Sequence, residues 1–367
     1  MKNGLEIAVV GGGINGLCSA WVLAQQGHAV SLFERDSLMQ ATSRSSSKLL
    51  HGGLRYLENY EFRLVREALR ERDAWIARNP QLAQPLRLVL PIYRGSRRSR
   101  ALVALGLWLY DHIAGKSILP KAQWLGREEL LRRDPQLQGD GLLGGYAFSD
   151  GHMDDEALGL WVAAQARAAG VQIHEHSAVQ RISPAGELTL ASGQERNFDR
   201  IANIAGPWAL ELLAQSNLQA EHRLDLVRGS HLVLDAPCPQ AYLLEVPHER
   251  RIFFVLPWQG KTLVGTTEER QDLHAPIACS ATEEAYLLAA YQHYRHSSAP
   301  MPAISNRFAG LRPLIYSAAD PNRATREYAL ERQGRITTVV GGKWTTSMAL
   351  AEKVAVKVSA PIAQPAP

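Results

Sequence analysis

Hydrophobic positions open the chain as an unbroken run, Ile7-Ala8-Val9-Val10, which passes at once into Gly11-Gly12-Gly13-Ile14-Asn15-Gly16 and then into the apolar-rich stretch Leu17 to Gln25. The pattern predicts a buried strand, a tight turn and a helix packed on the strand. A second strand follows at Ala29 to Glu34, then a polar segment, Asp36 to His51, and an amphipathic helix from Tyr60 to Ala77. Asp154 or Asp155 caps a further helix that runs to Ala169 and stops at Gly170, and Val171 to His174 resumes as a strand. A short hairpin region, Ala178 to Phe198, leads into a buried strand beginning at Arg200 and halted by Gly206-Pro207-Trp208. From Leu226 the pattern changes to consecutive strands, Leu226 to Leu234, Ala241 to Val246, Arg251 to Trp258 and Lys261 to Thr267, with Gln259-Gly260 as a hairpin turn. Ser280 and Glu283 form a capping box before the helix Ala285 to Tyr294. Ile336 to Val340 is one more strand, broken by Gly341-Gly342 and followed by a last helix to about Lys357.

This order predicts an α/β chain with a Rossmann-like nucleotide domain that is discontinuous, formed by 1–90, 140–215 and 308–358. A second, α+β substrate domain is built on the antiparallel sheet from 91–139 and 216–307, and 359–367 is expected as a disordered tail. Such interleaving suits a flavin, whose ring must reach from one domain to lie against another.

The G-x-G-x-x-G spacing has a physical reading. Gly11 permits the turn, Gly13 lets backbone approach a pyrophosphate, Gly16 lets the helix pack on the strand, and Glu34 stands where a ribose hydroxyl is expected. The segment Ala41 to Leu57 is too polar for a core and too rich in glycine for a long helix. Its serines, Lys48, Gly52 and Gly53 suit the wrapping of a polar ligand, and a solvated serine loop is the alternative.

The 367 residues carry a net charge of +4 and a pI near 9.0, an excess that suits an anionic lipid or a phosphorylated substrate. No basic helix with interleaved aromatics and no nucleic-acid signature is present, so nucleic acid is not an expected partner. Cys18, Cys238 and Cys279 lie far apart and form neither a disulfide framework nor a metal site, which fits a reducing, cytoplasmic location. The first residues do not read as a signal peptide, and no run is long enough to span a membrane.

The chain resembles the flavin-dependent glycerol-3-phosphate dehydrogenases, within the wider D-amino-acid-oxidase-like flavoprotein group. The resemblance runs collinearly through Gly11 to Gly16, Thr42 to Glu58, Leu107 to His112, Ser149-Asp150 with Asp154-Asp155, Gly206-Pro207-Trp208, Arg228-Gly229-Ser230-His231, Phe254 to Trp258, Gly265-Thr266-Thr267, Leu311 to Leu314 and Gly341 to Thr346. It implies non-covalent FAD and oxidation of sn-glycerol 3-phosphate to dihydroxyacetone phosphate, with electrons passed to quinone or another acceptor. It assigns cofactor contacts to Gly11, Gly13, Asn15, Gly16, Glu34, Thr42, Ser43, Ser46, Ser47, Lys48, His51, Gly52, Gly53, Gly206, Gly341, Gly342, Lys343 and Thr345. Arg312 and Arg326 are the implied phosphate ligands with Arg55 and Tyr56 near the ring. His231 is the implied proton acceptor, and Lys343 at a helix N-terminus favours the reduced flavin.

Arg94, Arg97, Arg98 and Arg100 precede the apolar stretch Ala101 to Tyr110. By resemblance this is an interfacial anchor on the inner face of the cytoplasmic membrane, and a helix buried in the second domain explains the apolar part equally well. Members of the family continue into a helical C-terminal domain that these residues do not include, which leaves homo-oligomerisation, membrane docking and the acceptor open. Two other readings keep the fold: an oxidase or a dehydrogenase of another 2-hydroxy acid or polyol phosphate, and a flavin-binding subunit active only in a complex.

Overall fold

The computed structural model describes residues 4–316 and 328–362. Two sheets organise the chain. The first has six strands, in the order Tyr328–Gln333, Ile336–Gly341, Arg200–Asn203, Glu6–Val10, Ala29–Phe33 and Gln172–His174; all pairings are parallel except the antiparallel one at the Tyr328–Gln333 edge. The helices Ile14–Gln25, Asp155–Ala168 and Ser347–Ser359 pack into the core that covers this sheet, with Leu17, Leu23, Val162 and Val354 fully buried. Glu6–Val10 lies centrally, with Arg200–Asn203 on one side and Ala29–Phe33 on the other, so that a crevice opens beyond the carboxyl ends of these strands.

The second sheet has ten strands and holds the consecutive strands foreseen after Leu226, now Leu224–Leu234, Ala241–Glu245, Ile252–Trp258 and Lys261–Gly265. Gln259 and Gly260 both take positive φ, 49° and 76°, as the two-residue turn between the last pair requires. The sequence-based partition differs from the observed pairing. Strands Ala83–Tyr93, Leu142–Met153 and Ile304–Ile315 belong wholly to the second sheet, although 83–90, 142–153 and 308–315 were assigned to the nucleotide domain. Hydrogen bonding decides this: Ala83–Tyr93 pairs along its length with Leu142–Met153 and also meets Ala241–Glu245. Residues 359–362, expected within the disordered tail, are among those described, and the carbonyl of Ala360 accepts from Arg332 and Arg200; the rest of that expectation, 363–367, lies outside the described residues.

The capping box of Ser280 and Glu283 starts the helix Ala281–His293 and does more than cap it. The buried Glu283 carboxylate also accepts from Ser230 Oγ at 2.8 Å and Thr267 Oγ1 at 2.6 Å and pairs with Arg228 at 2.7 Å, tying the helix to the strand Leu224–Leu234. Burial by itself would raise the Glu283 carboxyl, but the bonds from Thr267, Ser280, Arg228 and Ser230 outweigh it and pull it from 4.5 to about 2. Because the folded value is depressed, the stabilisation is complete above the unfolded value and is lost as pH falls towards 2. Glu283→Gln is expected to cost on the order of 2 kcal/mol at pH 7, with the gap narrowing below pH 4.5 in urea unfolding; a gap constant between pH 7 and pH 3 would refute the charge-based origin.

Candidate active site

A continuous cavity of about 510 Å³ occupies the crevice beyond the first sheet and extends to the face of the second. Its first end is made by the predicted strand–turn–helix. Gly11, at φ 111°, donates its amide to Phe33 O at 2.9 Å, and a side chain there would collide with the carbonyl of Ile204. A Cβ on Gly16 would overlap the carbonyl of Gly11, so only glycine lets the helix Ile14–Gln25 sit against the turn. Glu34 Oε2 accepts from the Gly12 amide at 2.6 Å and Oε1 from the Asp36 amide at 3.0 Å, which fixes the carboxylate on the cavity wall. Arg35 stacks over Trp208 at 3.9 Å, and both line this end. Gly13 is the N-cap without a side-chain cap, and Asn15 Oδ1 is a buried acceptor with no partner among the described residues. A glycine turn at a helix N-terminus, with a carboxylate closing the next strand, is chemically suited to a dinucleotide.

The middle of the cavity is the serine-rich segment, which is ordered by its neighbours. Ser43 Oγ accepts from the Ile14 amide at 3.0 Å, Ser43 O accepts from Trp344 Nε1 at 3.1 Å, and Thr42 Oγ1 donates to Leu311 O at 2.7 Å. Thr42, Ser43, Ser46, Ser47, His51 and Gly53 line the cavity, together with Gly206, Gly341, Gly342, Lys343 and Thr345 from the far strand ends.

Three of the expected contacts lie elsewhere. Lys48 is buried away from the cavity: its Nζ pairs with Asp155 at 2.6 Å and donates to Arg44 O at 2.7 Å, so it holds the loop rather than a ligand. Gly52 faces the protein interior, where its amide donates to Tyr110 Oη and Asp150 Oδ1 and its Cα packs on Leu69. His231 is 1 % exposed and reaches the cavity only through Ser47, whose Oγ lies 2.9 Å from its Nε2; Phe308 stacks on the ring at 4.8 Å. Burial first, and then the nearby charges of Arg312 and Lys48, push the imidazole well below its ordinary range. Nδ1 also lacks a partner among the described residues. These surroundings disfavour an imidazolium, and the neutral ring stands behind Ser47 Oγ rather than on the cavity wall.

At the second end, Arg55, Tyr56, Arg312 and Lys343 converge, with the Lys343 ammonium 4.2 Å from the centre of the Tyr56 ring. Arg312 Nη2 donates to Thr266 Oγ1 at 2.8 Å. Glu268 stands among the cations, 3.9 Å from Arg55, 3.8 Å from Arg312 and 3.8 Å from Arg251. Arg326 lies outside the described residues. Thr266, Glu268, Arg251 and Phe254 were not among the expected site residues, although Gly265-Thr266-Thr267 is a motif of the resemblance and points to this loop. Gly229 is a further missed position: a Cβ there would land on the Arg312 guanidinium and 2.6 Å from Thr266 Oγ1. Gly229→Ala is therefore expected to displace Arg312 and raise the KM for a phosphorylated substrate roughly tenfold with less effect on kcat, equivalent to about 1.4 kcal/mol; steady-state kinetics with unchanged KM would exclude this steric role.

Comparison with known proteins places this geometry. The glycerol-3-phosphate dehydrogenase of Pseudomonas aeruginosa is 36% identical over 95% of this chain and 70% of its own length. The D-erythritol 1-phosphate dehydrogenase of Brucella abortus is also 36% identical, over 95% of this chain and 72% of its own length. The solved glycerol-3-phosphate dehydrogenase from Bacillus halodurans, complexed with FAD, matches in fold with a TM-score of 0.77 at 24% identity, covering 98% of this chain and 65% of that one. The chain thus spans part of each of these longer proteins. The model of one family, described as FAD dependent oxidoreductase, matches residues 6–355. A dinucleotide cradle continuous with a cationic pocket is the arrangement such a protein needs, and on this match the chain belongs to the FAD dependent oxidoreductase family.

Proposed function

We propose that this chain oxidises sn-glycerol 3-phosphate to dihydroxyacetone phosphate. The observation that carries the reading is the continuity of one cavity from the Gly11 to Gly16 cradle to the cluster of Arg55, Arg312 and Lys343. The residues present fit FAD: the glycine turn leaves room for backbone to meet a pyrophosphate, Glu34 is held on the wall, and Asn15 Oδ1 awaits a donor. When bound, FAD supplies the oxidant, accepting the hydride lost from the carbinol carbon.

The chain's own residues do the rest. Arg312 and Arg55 offer planar, permanently charged forks to a phosphate dianion. Tyr56, beneath the Lys343 ammonium, forms an apolar wall with a polar tip. Ser47 Oγ stands on the cavity wall 2.9 Å from Nε2 of the neutral His231, and through this pair the proton of the substrate hydroxyl passes to the imidazole as the hydride leaves the carbinol carbon. Lys343, after Gly341 and Gly342 in the loop that leads to the Thr346 N-cap of the closing helix, places positive charge in the wall. A second polyol phosphate is a competing substrate, supported by the Brucella abortus relative, which is as similar as the Pseudomonas aeruginosa one.

The deciding experiment is anaerobic titration of the FAD-loaded protein with sn-glycerol 3-phosphate and, in parallel, with D-erythritol 1-phosphate. Bleaching of the oxidised-flavin absorbance at stoichiometric sn-glycerol 3-phosphate is expected. A flavin that only dithionite reduces would remove the substrate assignment.

Electrons then pass to quinone or another acceptor, with the chain docked on a membrane surface through the helix Arg100–Ala114. Val103, Leu107 and Tyr110 bury one face of this helix, while Leu102, Leu105 and Trp108 are exposed on the other, so each of the two readings of the apolar stretch has a face that supports it. Arg94, Arg97 and Arg100 are exposed beside it, whereas Arg98 is engaged by Glu58 and Glu245. Among the described residues no helix is long and apolar enough to cross a membrane. Leu105→Glu with Trp108→Glu is expected to reduce co-sedimentation with anionic vesicles at least tenfold, about 1.4 kcal/mol of binding; unchanged sedimentation would argue against this face.

A further inference from the structure

The carboxylate of Glu268 is anomalous in a pocket suited to an anion. It lies on the cavity wall with its side chain 11% exposed, within 4 Å of guanidinium groups from three separate segments: Arg55, Arg251 and Arg312. Its loop is pinned from both sides. Thr266 accepts from Arg312 Nη2 at its hydroxyl and from Arg251 Nη2 at its carbonyl, and Thr267 Oγ1 donates to Glu283. A carboxylate is an acceptor only, so toward a bound ligand it can take a hydrogen bond from a hydroxyl but repels an oxyanion that brings none. Sites built around such a group reject analogues that lack the matching donor by large factors, because the buried acceptor is left facing the wrong partner.

We propose that Glu268 is a specificity-determining residue: it offsets part of the arginine charge and accepts a hydrogen bond from a hydroxyl of the bound polyol phosphate, so that anions without a hydroxyl are held weakly. This inference rests on the polyol-phosphate reading of the site.

The test is calorimetric binding of sulfate and of dihydroxyacetone phosphate to the oxidised, FAD-loaded protein, where neither ligand turns over. Wild-type protein is expected to prefer dihydroxyacetone phosphate. Glu268→Gln is expected to tighten sulfate and to lower the ratio of the sulfate Kd to the dihydroxyacetone phosphate Kd at least tenfold. Glu268→Ala should lower that ratio in the same direction, and Glu268→Asp, which keeps the charge, should leave sulfate weak. A ratio within threefold of wild type in whichever of the Gln and Ala variants folds overturns the proposal. Wild-type protein that binds neither anion overturns it together with the substrate assignment, whereas an unchanged ratio in the variants leaves that assignment standing.

Discussion

Arg312→Leu is expected to lower kcat/KM for sn-glycerol 3-phosphate by roughly thirtyfold to several thousandfold, while FAD retention stays as in wild type. Arg312 reaches the cavity from the strand Ile304–Ile315, is seated over Gly229 and bonded to Thr266 Oγ1, and its head group is held beside Glu268. Removing one member of a desolvated charge pair costs about 2–5 kcal/mol, because the partner is left without its counter-charge, and each 1.4 kcal/mol is a factor of about ten. Arg312→Lys keeps the charge but loses the planar fork, so an intermediate loss is expected. A kcat/KM within threefold of wild type in Arg312→Leu would show that the phosphate binds elsewhere.

Lys48→Met is expected to give the largest loss of stability, about 3–5 kcal/mol, because it breaks a buried ion pair and strands one charge. Asp155 is fully buried, and its carboxylate holds Lys48 Nζ at 2.6 Å and both the amide and the hydroxyl of Ser46. Burial already pushes the Asp155 carboxyl up, with Lys48 and then Ser46 acting against it. Without the ammonium the group is driven further towards its neutral form. Lys48 also sits at φ 58°, a left-handed conformation that costs a non-glycine residue about 1–2 kcal/mol and that this network sustains. The thermal midpoint of the FAD-loaded protein should fall by many degrees, with cofactor release at lower temperature. A Lys48→Met variant within about 1 kcal/mol of wild type in chemical unfolding would mean that the pair contributes specificity rather than stability.

The parts of the fold that were legible in advance are those whose signals are local. The first strand, turn and helix, the capping box at Ser280, and the Gln259-Gly260 turn each depend on residues a few positions apart, and each appears where periodicity and turn chemistry put it. Three long strands went unread for a physical reason. Ala83–Tyr93 contains Pro85 and Pro91, Leu142–Met153 contains Gly144, Gly145 and Gly151, and Ile304–Ile315 contains Gly310 and Pro313, residues that argue against a strand until its partners are known.

The candidate site divides in the same way. Sequence alone determined the glycine cradle and the carboxylate of Glu34 at the end of the second strand, because a strand–turn–helix is closed by short-range sterics and a backbone that only glycine can follow, and it pointed to the serines that line the cavity. Tertiary structure decided which way the loop side chains point. Lys48, Gly52 and His231 turn inward because Asp155, Asp150 and Ser47, respectively 107, 98 and 184 residues away, supply what they need there. It also assembled Arg55, Arg251, Glu268 and Arg312 from four distant segments. Arg312 lies on a strand of the ten-stranded sheet, where a slip of one residue would turn it to the opposite face, whereas Arg55 sits on the helical turn Leu54–Asn59 and Arg251 and Glu268 on loops beside strand ends, so their meeting depends on the packing of the whole chain.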